Sequence, residues 1–308
     1  MKKLKTVLLV LFVMFLWGSL YPLIKMGYKA YQIKTIADTL LFAGLRFSIS
    51  GGALCIFSLI TRRKSFATLK PNLLPIALIG LFSIVMHYGF LYVGLQFTDS
   101  SKTSILKQVG ALFFVCFSWL FFKNDKFTWQ KLVGVVLGFV GVASLNFSAD
   151  GFLSFKLGDF MTIIASFCLV FGDVVSKKIA PSSDPIIVTA FSQLAGGVVL
   201  LIVGLCMGGK FAIGFNLDLW IIIYICFASI FSYTLWYSIL RKGNLSNLFI
   251  IKFTVPVFSC IIGWLLLGEN ILKWQYPVAF LLICLGIFIS NLKSKKKSER
   301  EQLETEVK

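Results

Sequence analysis

The chain has 308 residues, of which 58% are hydrophobic and 14% charged, with a mean hydropathy of +0.88. Soluble domains use about 45–50% apolar residues, so these values exclude a water-soluble protein. The formal net charge of +17 would point to nucleic acid in a soluble chain, but the basic residues here follow the loops between apolar runs, so no nucleic-acid partner is expected.

Lys2, Lys3 and Lys5 precede the first apolar run, Leu4–Ile24. That run exceeds a signal-peptide core and no Ala-x-Ala site follows Trp17-Gly18-Ser19, so it reads as a first helix. Leu40–Ile60 and Leu73–Leu95 flank the basic turn of Arg62, Arg63, Lys64 and Lys70. Ser101–Phe122 and Trp129–Phe147 complete five spans, and Leu157–Val175, Ile186–Met207, Leu219–Leu240, Leu245–Gly268 and Trp274–Leu292 make five more. Each is about twenty residues, enough at 1.5 Å per residue to cross a hydrocarbon core of about 30 Å. Continuous apolar blocks such as Leu219–Tyr233 argue against a β-barrel, whose strands alternate apolar and polar residues. Basic residues crowd the loops on one side, where they include Arg62, Arg63, Lys123, Lys126, Lys177 and Arg241, and then Lys293 onward. This bias predicts cytoplasmic N- and C-termini. The expected fold is an all-α, multi-pass membrane protein of the plasma or inner (cell) membrane, with the lipid bilayer as its main partner.

One shift of the chain against itself aligns four successive spans of each half without a gap. It pairs Gly51-Gly52 with Gly196-Gly197, Tyr88 with Tyr233, Tyr92 with Tyr237, and Lys107 with Lys252. Trp119 then falls on Trp264 and Trp129-Gln130 on Trp274-Gln275. Matches of Trp, Gln and Lys are harder to attribute to chance than those of Leu or Phe, because these residues are scarcer in spans. The first and sixth spans align after a further shift of about nine residues, which the longer connection Met26–Thr39 accommodates. Residues 1–148 and 149–293 are therefore expected to be two five-helix repeats. Residues 294–308 are expected to be a charged, disordered cytoplasmic tail. Because five is odd, the second repeat enters the membrane from the opposite side, making an inverted pair of the kind widespread among secondary transporters.

These features resemble the EamA-type transporters of the drug/metabolite transporter superfamily. The motifs are Trp17-Gly18-Ser19, Arg46 early in the second span, Pro256, the Leu267-Gly268-Glu269 exit, and the Trp-Gln starts with Gly134, Gly138 and Gly141 downstream. Two positions depart from the pattern: Asn124 stands opposite Glu269 in the repeat, and Ala111 opposite Pro256. The resemblance implies transport of a small-molecule substrate by alternating access around a cavity lined by spans 1, 3, 4, 6, 8 and 9. It leaves the cargo open.

Ionisable groups within spans are costly and usually face an internal cavity, which singles out a few residues. Lys107 and Lys252 are repeat mates about six residues, or about 9 Å, inside their spans from opposite faces. One ammonium is expected above the membrane centre and the other below it. They either draw an anionic substrate inward or snorkel to the near interface. Arg46 either binds a carboxylate or braces packing, with Asp173 as a candidate counter-ion. His87, the only histidine, suits either proton coupling or a satisfied polar core, and Asp173 is the second proton-coupling candidate. Trp17, Tyr21, Tyr88, Tyr92, Tyr233, Trp236 and Tyr237 are candidates for stacking on the solute and offering it hydroxyls.

No His-Glu-x-x-His, Gly-x-Ser-x-Gly or P-loop is present, so neither catalysis nor ATP-driven transport by this chain is expected. The seven cysteines lie in apolar spans without Cys-x-x-Cys spacing and read as small hydrophobes; no metal or cofactor is expected. The function read from the sequence is a secondary transporter for an amino acid, metabolite or organic anion, acting as a monomer or homodimer. A flippase for lipid or lipid-linked headgroups is the alternative.

Overall fold

The computed structural model describes residues 2–117, 128–145, 155–210, 218–242, 252, 254–286, 288–289 and 292. The tail 294–308, Trp119, Asn124 and Ser246 lie outside the described residues. All regular structure among the described residues is helical. The helices of the first half are α1 (Lys2–Ala30), α2 (Ile36–Thr61), α3 (Leu73–Ile79), α4 (His87–Phe97), α5 (Ser100–Leu106), α6 (Gln108–Phe117) and α7 (Trp129–Leu145). Those of the second half are α8 (Leu157–Ile179), α9 (Pro185–Cys206), α10 (Leu219–Lys242), α11 (Thr254–Leu267) and α12 (Gln275–Gly286).

Six described stretches are long and apolar enough to cross a membrane: Leu8–Ala30, Ile36–Thr61, Arg63–Phe97, Leu157–Ile179, Pro185–Cys206 and Leu219–Ile239. The other four expected spans coincide with α5–α6, α7, α11 and α12, each of which borders residues outside the described set. Within the third span a π-helical turn, Gly80–Met86, joins α3 to α4 and ends at His87. The fourth span, expected to be unbroken, is interrupted at Lys107 between α5 and α6, although the Lys107 amide still bonds the Thr103 carbonyl at 3.0 Å.

Local chemistry sets the helix ends. Thr35 and Asp38 form a reciprocal capping box at the start of α2. Asp184 caps α9, whose first residue is Pro185, a position where the missing N–H costs nothing. Gly268, at φ +65°, turns the chain out of α11 in the left-handed region that glycine adopts freely.

Polarity is inverted relative to a soluble protein. Ile60, Leu74, Leu205, Ile223 and Leu265 are exposed on the outside, while Arg46, His87, Gln193 and Asp173 are buried inside. Lipid on the outer surface and polar contacts within the bundle account for that pattern.

The tightest contact joins α2 and α9, the two helices carrying the offset-matched glycine pairs. A Cβ on Gly44 would strike the backbone at Leu201, one on Gly197 the backbone at Ser48, and one on Gly51 the backbone at Leu194. Small residues here let two backbones approach closely in lipid. As the α2 partner advances from 44 to 51 the α9 partner falls from 201 to 194, so the two helices run antiparallel. A second contact between offset mates joins α4 to α10: the Tyr233 hydroxyl donates to the Tyr88 hydroxyl at 3.0 Å, across a sequence separation of 145.

Candidate functional site

That tyrosine pair forms part of the wall of a central cavity. Trp17 and Tyr21 of α1 line it, spaced one helical turn apart. Ser166, Leu169, Val170 and Asp173 follow the same periodicity along one face of α8. Trp236 of α10, together with Lys252 and Val255 at the α11 end, closes the opposite wall. Lys107 and Gln108 enter at the break between α5 and α6. The space swept by the centres of water molecules is about 50 Å³, room for a few waters and too little for an organic solute without movement of the walls.

Both lysines line this one cavity. Their surroundings differ. Lys252 Nζ bonds the Asp173 carboxylate at 2.8 Å and sits 4.1 Å from the Trp236 ring centroid and 5.5 Å from that of Trp17. Trp236 Nε1 donates to the other Asp173 oxygen at 3.3 Å. Lys107 Nζ lies 5.6 Å from the Tyr21 ring centroid and has no hydrogen bond or ion pair among the described residues. Trp17 Nε1 and the Tyr21 hydroxyl are buried and likewise have no partner among the described residues. Three donors around one small space thus lack an acceptor.

Asp173 therefore answers Lys252, not Arg46 as the sequence suggested; the choice depends on how α8 packs across α10 and α11, which no local pattern encodes. Arg46 is fully buried, donates from Nε to Ser229 at 2.6 Å and from Nη1 to the Tyr92 hydroxyl at 2.5 Å, and stacks on Phe47 at 4.6 Å. It has no carboxylate partner among the described residues and does not line the cavity. Tyr92 serves Arg46, and Tyr237 packs against Tyr233, so neither lines the cavity. His87 is also behind the wall: its Nδ1 lies 2.7 Å from the Ala165 carbonyl and its ring meets Tyr88 edge-on at 4.6 Å.

A second cluster, which sequence reasoning noted only as a motif, sits at one end of the bundle. The Glu269 carboxylate, just past α11, accepts the backbone N–H groups of Ser100 at 2.8 Å and Ser101 at 2.9 Å, and the Ser101 hydroxyl at 2.5 Å. Lys25 of α1 approaches Glu269 at 3.7 Å and Asp99 at 3.3 Å, and donates to the Thr98 carbonyl at 2.9 Å. Lys102 pairs with Asp159 of α8 at 2.9 Å. These contacts tie α1, α5, α8 and α11 together above the cavity. At the other end, Arg62 pairs with Asp184 at 3.4 Å and Ser65 donates to Asp184 at 2.7 Å, joining α2 to α9.

Comparison with known proteins gives a consistent result. The profile of the EamA-like transporter family matches residues 4–147 and 156–292. A Bacillus subtilis protein named "Uncharacterized transporter YvbV" is 29% identical over 95% of this chain and 93% of its own length. The S-adenosylmethionine/S-adenosylhomocysteine transporter of Chlamydia muridarum is 24% identical over 83% of this chain and 82% of its own. A solved crystal structure superposes with a TM-score of 0.66, covering 95% of this chain and 98% of that one at 16% identity, which shows a shared fold.

Proposed function

The chain belongs to the EamA-like transporter family, a multi-pass membrane protein of the cell membrane, and from that premise we propose that it is a secondary carrier for small organic anions or zwitterions. The observation that carries this reading is the unanswered donor set of the cavity: the Lys107 ammonium, the Trp17 indole N–H and the Tyr21 hydroxyl. A buried donor without an acceptor costs free energy, and an ammonium costs more than a neutral group. A solute carboxylate supplies the missing acceptors, and the aromatic walls take its apolar portion. The Chlamydia muridarum relative is named for two compounds that each bear one carboxylate, one of them a zwitterion and the other, with its sulfonium, a net cation.

Transport proceeds by alternating access around this site. In the arrangement described, the Glu269 cluster seals the end expected to face outward, so a solute would meet the cavity from the cytoplasmic side. No P-loop occurs in the chain, so a gradient or exchange supplies the energy.

Purified protein in proteoliposomes tests the reading. Saturable uptake of carboxylate solutes by wild type, lost in Lys107→Gln, is the expected result. Wild-type flux in that variant would overturn the site, and headgroup scrambling without solute flux would replace the carrier with a flippase.

A further inference from the structure

The two lysines of the cavity are repeat mates with unequal surroundings, and the inequality is one of charge. Lys252 is neutralised at 2.8 Å by Asp173, whose carboxylate is held in turn by the Trp236 indole. Lys107 faces the Tyr21 ring, feels Asp173 only at longer range, and has no hydrogen bond or ion pair among the described residues. Among the described residues, the charged side chains lining the cavity are Lys107, Lys252 and Asp173, a sum of one positive charge. Arg46 adds its field from behind the wall, where Phe47 and Tyr88 separate it from the cavity.

We infer that Asp173 is the charge selector of the site: it cancels Lys252, leaves one positive charge at Lys107, and so admits solutes with a single carboxylate while rejecting dianions. This rests on the carrier reading above and adds the rule by which cargo is sorted. The physical basis is proximity. Once the walls part to admit a solute, its second negative group still shares the cavity with the Asp173 carboxylate, which lines it, in surroundings too poor in water to screen the repulsion fully. Lys252 cannot compensate without releasing Asp173, which would then remain buried and unpaired. Rejection thus comes from a built-in repulsive element, the usual way to sharpen selectivity between solutes of similar shape.

The test uses full-length protein in detergent and three probes that share one ring: benzoate as the monoanion, phthalate and phenyl phosphate as dianions. Apparent affinities are read from ligand-induced thermal stabilisation. Wild type is expected to bind benzoate at least about tenfold more tightly than either dianion. Asp173→Asn, which frees Lys252, is expected to shift that ratio by about tenfold or more toward the dianions. The double variant Asp173→Asn/Lys252→Gln restores a sum of one positive charge with near-isosteric side chains, and is expected to return the ratio to that of wild type. A wholly structural role for Asp173 would weaken all three probes alike. An unchanged ratio in Asp173→Asn overturns the inference, as does wild type binding none of the probes. Lys107→Gln separates the two levels. If it leaves benzoate binding intact, the site itself is wrong; if it abolishes binding while Asp173→Asn leaves the ratio unmoved, only the charge rule fails.

Discussion

At the sealed end of the bundle, the Glu269 carboxylate collects two backbone amides, a serine hydroxyl and the nearby Lys25 ammonium. Deeper between the same helices, the Lys107 ammonium collects the face of one tyrosine and nothing else among the described residues. Both groups sit at helix ends within a bundle that faces lipid, where a charge without partners is expensive. The first is satisfied by the protein, so its contacts hold helices together. On the carrier reading proposed above, the second is left for a ligand, and its cost is offset when the cavity is filled. Satisfaction of charge thereby separates scaffold from site more sharply than burial does, since both regions are buried.

Substitutions in the two regions should therefore fail in different assays. Lys107→Gln is expected to reduce carboxylate uptake by about a thousandfold, because a buried charge loses its ligand partner. Its thermal midpoint without ligand should match or exceed the wild-type value, since an unanswered ammonium is removed, and a large drop there would move Lys107 to the scaffold class. Glu269→Ala should cost about 2–4 kcal/mol of stability by stranding the amides of Ser100 and Ser101 and the Ser101 hydroxyl, as read by denaturant unfolding in mixed micelles. Unchanged stability in this variant would remove the distinction. Gly51→Val, which drives a side chain into the α9 backbone at Leu194, should cost about 1–3 kcal/mol in the same assay. Arg62→Ala breaks a half-exposed pair with Asp184 and should cost less than about 0.5 kcal/mol, with an effect that fades further in high salt.

The scaffold was more legible in the sequence than the site. The membrane class follows from hydropathy, and the Tyr88–Tyr233 hydroxyl contact joins two positions that the shift of the chain against itself pairs. Lys107, Lys252, Trp17, Tyr88, Tyr233 and Trp236 also follow from the rarity of charge and the periodicity of aromatics within spans, and all line the cavity. Periodicity stops there. Tyr92 lies one turn from Tyr88 on the same stripe, yet turns to Arg46, because α2 packs alongside at that level. The partner of Lys252 lies 79 residues away and that of Ser100 lies 169 residues away. Such pairings depend on how separate helices are stacked, and a local pattern holds no record of it.

The Tyr88–Tyr233 hydroxyl contact carries one more consequence. On the carrier reading proposed above, with the inverted repeats expected from the sequence, this contact between paired positions moves least while its neighbours swing about it. A reporter attached here should stay mute throughout the transport cycle, whereas one at Lys25 or Arg62, far from the pivot, should flicker with every turnover.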